Sequence, residues 1–103
     1  MKYILVLQWP DISESDYEAL IAMEDRLEGD LPDAHGFVDG HDIGSGEMNI
    51  FIHTDQPLEA FRDATVVLRV NARLADVRAA YRPTEGNDYV PLWPKTLLEF
   101  SVS

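Results

Sequence analysis

A chain of 103 residues, 46% of them apolar, with six glycines, six prolines and no low-complexity tract, has the composition of one folded domain, since single hydrophobic cores occupy about 100–150 residues. The absence of cysteine excludes disulfides, thiolate metal sites and thiol nucleophiles, and leaves stability to packing. A formal charge of −11 repels phosphate backbones and argues against nucleic acid as a partner.

The charge is unevenly placed. Residues 1–56 carry 13 acids against two bases, Lys2 and Arg26, whereas residues 57–103 carry six of each. Any basic face would have to come from Arg62, Arg69, Arg73, Arg78 and Arg82, and Asp63 and Asp76 interrupt that set without the aromatic interleaving of nucleic-acid footprints. Residues 1–9 hold one lysine and a short apolar stretch with no small-residue cleavage site after it. No run approaches the roughly 20 apolar residues of a membrane span. A cytoplasmic protein without a membrane partner is the expectation.

Tyr3–Trp9 (YILVLQW), apolar and halted by Pro10, predicts a central strand covered on both faces. A helix follows, with capping-box spacings at Ser13/Asp16 and Ser15/Glu18. Its apolar stripe is Tyr17, Leu20, Ile21 and Leu27 with Glu24 among them; Glu14, Glu18, Asp25 and Glu28 face water, and Gly29 and Pro32 end it. Residues 35–54 form a hairpin around Gly44, Ser45 and Gly46. A second helix opens near Thr54 or Asp55, with Pro57 in its first turn and Leu58, Phe61, Thr65 and Leu68 as its buried stripe. Residues 74–82 read as a strand through the alternation of Val77, Ala79 and Tyr81, although LADVRAAYR also contains good helix formers. Residues 89–94 run extended, and residues 95–103 supply a possible extra edge strand. Strand, helix, hairpin, helix, strand is the βαββαβ plan of an α+β ferredoxin-like sandwich, a single domain over residues 1–103 with both helices on one face of an antiparallel sheet.

The other face of that sheet collects the candidate site. Met48, Ile50 and Ile52 point to the helices, so Glu47, Asn49, Phe51 and His53 point away from them. A three-residue Gly44–Ser45–Gly46 loop sets Ile43, His41 and Asp39 opposite Glu47, Asn49 and Phe51. A two-residue loop slips the pairing by one and turns Asp39 and His41 into the core beside Met48 and Ile50, a costly placement for polar groups. The three-residue register is therefore expected. It puts Asp39, His41, Glu47, Asn49 and His53 on the open face among Phe37, Ile43 and Phe51, joined by Ile4, Val6 and Gln8 if Leu5 and Leu7 face the helices. A half-apolar sheet face of this kind marks a binding site or an interface.

In a pocket there, His41 would act as acid, base or ligand with Asp39 or Asn49 orienting it; the same groups also suit cross-strand hydrogen bonds and a capped hairpin. His35, His41 and His53 with Asp39 lack the HxH and HExxH spacings of metal sites, so neither a metal nor a cofactor is expected. GSGE lacks the lysine and following helix of a phosphate loop, and no GxSxG elbow surrounds Ser45. Trp9, Tyr81 and Trp93 are candidates for a pocket mouth or for the rim of the core.

The run VDGHDIGSGEMNIFIHTD at 38–55 resembles a group of small bacterial proteins of uncharacterised function with a ferredoxin-like fold. The resemblance extends more loosely to YILVLQW, to Met23–Glu24–Asp25 and to AAYR at 79–82. It implies that fold and no activity, so no catalytic residue follows from it. The residues favour a non-enzymatic binding or interaction module working through the open face: a homodimer, or an immunity-type or regulatory protein for a basic protein partner. The alternative is a cofactor-free small-molecule enzyme of the dimeric α+β barrel kind with His41 as acid or base. A cavity on which His41, Asp39 and Asn49 converge favours the enzyme; their separation favours the binder.

Overall fold

The computed structural model describes residues 1–102, so the last residue of the tail lies outside the described residues. Along the chain run β1 (Tyr3–Trp9), α1 (Glu14–Asp30), β2 (Phe37–Gly44), β3 (Glu47–Thr54), α2 (Pro57–Val70), β4 (Arg78–Pro83) and β5 (Val90–Trp93). The strands form one antiparallel sheet in the order β2-β3-β1-β4-β5, the α+β ferredoxin-like arrangement with one added edge strand.

β1 sits at the centre because its sequence is apolar on both faces. Leu5, Leu7 and Trp9 enter the core with Met48, Ile50 and Ile52 of β3, Ala79 of β4 and the buried faces of both helices. Each fully buried leucine or isoleucine there contributes about 1.5–3 kcal/mol. Trp9 belongs to this core, and Tyr81 and Trp93 pack against it. Trp9 also donates its indole N–H to the carbonyl of Arg73 at 3.1 Å.

α1 begins where its signals place it. Ser13 is the N-cap, its hydroxyl accepting from the Asp16 N–H while the Asp16 carboxylate accepts from the Ser13 N–H. Leu20, Met23, Glu24 and Leu27 are its buried residues. α2 starts on Pro57, but its buried side is rotated from the expected one. Ala60, Ala64, Val67 and Leu68 are buried, Phe61 packs partly against the core, and Leu58 is exposed. Two alanines let this helix approach the sheet closely, and close approach counted for more than side-chain size.

β4 begins at Arg78, after a turn at residues 74–77. The fifth strand is Val90–Trp93, and residues 95–102 add no strand. They run back over the sheet face opposite the helices, where the Ser101 carbonyl accepts from Gln8 Nε2 at 2.9 Å and the Phe100 ring lies 4.9 Å from that of Tyr89. No helix among the described residues is long and apolar enough to cross a membrane.

The hairpin adopts the register that was not expected. Gly44 pairs with Glu47, leaving the two-residue loop Ser45–Gly46, and both loop residues have positive φ (54° and 76°). That is the signature of a type I′ turn, whose twist suits the flanking strands and whose second position favours glycine. The Ile12 N–H donates to the Gly46 carbonyl at 2.8 Å and ties the turn to the β1–α1 loop. Ile43 therefore lies opposite Met48, Asp42 opposite Asn49 and His41 opposite Ile50, so His41 and Ile43 leave the open face. The predicted penalty is avoided in two ways. His41 stays exposed at the edge while pairing with a carboxylate of α1, and a register shift between Val38 and Gly40 leaves Asp39 outside the pairing and exposed as well.

Two outcomes follow. Gly36 has φ of +149°, and a Cβ there would meet the His53 carbonyl oxygen at 2.6 Å. Gly36→Ala is expected to cost about 2 kcal/mol or more in urea unfolding, and Gly46→Ala, with open space around it, about 1 kcal/mol. The hydrogen bonds from Ser13, with help from Arg73, hold the Asp16 carboxyl below the usual carboxylate range. Its contribution is then present above the unfolded carboxylate value of about 4 and lost as pH falls through the lower folded value. The stability gap between wild type and Asp16→Asn is expected to narrow as unfolding is measured from pH 6 downward.

Candidate functional site

The sheet face away from the helices is built in rows by the strand register. Phe37, His53, Ile4 and Arg82 form one row, Phe51, Val6 and Ala80 the next, and Asp42, Asn49, Gln8 and Arg78 the third. Glu47 projects on the same side, beside Gln8. Glu47, Asn49, Phe51 and His53 thus stand on this face as the sequence placed them, with Ile4, Val6 and Gln8.

The C-terminal segment divides the face in two. Val6 and Ala80 are fully buried although they point away from both helices. Gln8 and Asn49 of the third row are also buried, as is Glu47 beside them. Gln8 Nε2 donates to Asn49 Oδ1 at 2.9 Å and lies 3.3 Å from Glu47 Oε1, while Arg78 Nη2 stands 3.9 Å from Glu47 Oε2. Asn49 Nδ2 and Arg78 Nε have no hydrogen-bond partner among the described residues. A buried donor without a partner costs about 1–3 kcal/mol, so this floor is expensive for a purely structural surface. Beside it, between sheet and tail, runs a cleft of about 550 Å³.

The other half of the face is uncovered. The Phe37 ring stacks on His53 at 5.3 Å with an interplanar angle of 7°, yet Phe37 remains 48% exposed. Asp39, carried on the bulge, reaches back so that its Oδ2 lies 3.3 Å from His53 Nε2. Asp39 and Asp42 are exposed. β2 is also one of the two edge strands of the sheet, β5 being the other.

His41 lies on the helix side. Its Nδ1 is 2.8 Å from Glu24 Oε1, and its ring meets that of Tyr17 edge-on at 6.2 Å. Glu24 is buried and its Oε2 has no partner among the described residues. The carboxylate that orients His41 is therefore Glu24, in place of the expected Asp39 or Asn49, and His41, Asp39 and Asn49 converge on no common cavity. The sequence held a clue to Glu24, an acid inside the apolar stripe of α1. His35 pairs with Asp63 of α2. Each histidine is thus committed to a separate carboxylate, and no group of three potential metal ligands assembles among the described residues.

No protein-family model, curated protein or solved structure matches this chain.

The His41–Glu24 pair yields a direct check. His41→Leu leaves Glu24 without its partner and is expected to cost about 1–2 kcal/mol in chemical denaturation, the site being partly solvated. Replacing both residues by leucine is expected to restore stability to within about 1 kcal/mol of wild type, because the desolvated charge disappears with its partner.

Proposed function

We propose that this protein is a non-enzymatic binding module that engages a basic protein partner along β2 and the adjoining uncovered half of the sheet face. The observation that carries this reading is a free strand edge where two half-exposed apolar side chains, Phe37 on the open face and Ile43 on the other, flank the exposed carboxylates Asp39 and Asp42. A free edge offers backbone N–H and C=O groups for strand addition, and exposed apolar groups beside it supply contact area.

The charge distribution selects the partner. The sheet order gathers β2, β3 and β1 on one side with β4 and β5 on the other. Thirteen of the 19 acids lie in residues 1–56, which form the first group of strands and α1. A field of that sign steers a basic surface toward β2. It opposes β2-to-β2 pairing of two copies, which would set Asp39 and Asp42 of one against those of the other. The separation of His41 from Asn49 supports a binder over an enzyme using His41. A reducing cytoplasmic setting, where folds do without disulfides, suits a cysteine-free chain.

A photoreactive residue at position 37 or 43 tests it in the source cell. Cross-linking there, and not from position 66 on α2, should capture a protein of basic isoelectric point. The purified complex should weaken with added salt, and about three- to tenfold on combining Asp39→Asn with Asp42→Asn. Capture of a second copy of this chain, or salt-independent binding, would overturn the reading.

A further inference from the structure

α2 carries apolar side chains on both of its sides. Ala60, Ala64, Val67 and Leu68 are buried in the fold, while Leu58, Val66 and Val70 remain 60%, 59% and 78% exposed. With Arg62 and Arg69, also exposed, these three fall within an arc of about 120° at 3.6 residues per turn. A helix that is apolar on both sides has the pattern of a helix covered on both. Local propensity gives no other account of the two valines, because β-branched residues are weak helix formers at solvated positions.

α1 lies beside it and presents a complementary face. Glu14, Glu18, Asp25 and Glu28 are exposed there together with Ala22 and Gly29, and Arg26 is the one base of this helix. None of those four carboxylates pairs with a base among the described residues, and Arg69 pairs with no carboxylate; Arg62 lies 3.3 Å from Glu59 on its own helix. The two helices run antiparallel, because each returns from one of two antiparallel strands, β1 and β3. Gly29 and Asp30 share the lining of one groove with Asp63, Val66 and Val67, so the C-terminal end of α1 lies level with the middle of α2.

We propose that the occupant of this face is a second copy of the chain, packed helix layer on helix layer. A two-fold axis running between α1 and α2 and parallel to them sets each α1 over the partner's α2, antiparallel and at the same level. The small residues Ala22 and Gly29 of one copy then meet Val66 and Val70 of the other, and Asp25 meets Arg69, in two identical contacts. One operation covers both faces, because the same molecule carries the acidic face and the arginine-bearing apolar face side by side. A basic protein would meet Arg62 and Arg69 here, so this surface selects a different partner from β2, whose edge the helix-layer dimer leaves unpaired.

Sedimentation velocity of the full chain over a concentration series tests this, with a reversible monomer–dimer equilibrium expected. Val66→Asp places a carboxylate in the apolar centre twice per dimer and should weaken it about 30-fold. Phe37→Asp, on the opposite face of the molecule, should leave it unchanged. Arg69→Glu and Asp25→Arg should each weaken the dimer about tenfold, since each sets like charges opposite one another at both contacts. Mixing these two variants should recover the dimer, because in the heterodimer each contact regains one acid and one base; native mass spectrometry separates that species by mass. Asp25, Val66 and Arg69 are all exposed, so the three substitutions leave the monomer folded, which circular dichroism checks. A wild-type chain that stays monomeric throughout, a dimer lost in Phe37→Asp but kept in Val66→Asp, or a mixture with no more heterodimer than the statistical share would overturn the proposal.

Discussion

The Ser45–Gly46 turn pairs Gly44 with Glu47, and this single closure assigns every residue of β2 to one face of the sheet or the other. Side chains alternate along a strand, so a slip of one residue exchanges the two faces completely. With the turn closed on two residues, His41 joins α1 and Asp42 joins Asn49. The polar row across the sheet is then Asp42, Asn49, Gln8 and Arg78, without a histidine. The bulge at Asp39 limits the consequences to the inner part of the strand, because beyond it Phe37 again stands over His53. What the sheet face can bind follows from these local events.

Much of the architecture was legible because it is written locally. YILVLQW stops at a proline, Ser13 and Asp16 sit at capping distance, Pro57 opens a helix, and alternation in EMNIFIHT separates Met48, Ile50 and Ile52 from Asn49, Phe51 and His53. The register of β2 was not legible, because its decisive term is tertiary. Burying His41 looked costly when judged from the hairpin alone. On the helix side it is not buried: its side chain stays 33% exposed, and Glu24, 17 residues earlier and on another element, supplies a partner. Glu24 stood out as a charge within an apolar stripe, and pairing it with an inward-facing histidine would have reversed the choice of register. α2 misled for a different reason: Ala60 and Ala64 carry weak hydrophobic signals but allow close packing, while Leu58 carries a strong one and faces solvent. Residues 95–103 offered a possible edge strand, yet β5 already occupies that edge. Phe100 of the tail instead packs on Tyr89, and the Ser101 carbonyl meets Gln8 on the sheet face away from the helices.

The face opposite the helices is therefore two surfaces. One half is roofed and polar at its floor, with aromatic rings at its wall and charges of both signs. The other half is uncovered, apolar at Phe37 and bordered by the acidic edge of β2. Their separation follows from sheet order, since β2 and the roofed region over β1 and β4 lie on either side of β3. The acid-rich first half of the chain gives the edge its polarity, and Arg78, contributed by the second half, is the one cationic residue lining the cleft among the described residues.

All of this rests on where the His41 ring lies, and its proton contacts report that directly. Nuclear Overhauser effects from the His41 ring protons to the Tyr17 ring are expected, with none to the side-chain amides of Asn49 or Gln8. The opposite pattern, His41 in contact with Asn49 and remote from Tyr17, would restore the three-residue loop and contradict the division of the sheet face described above.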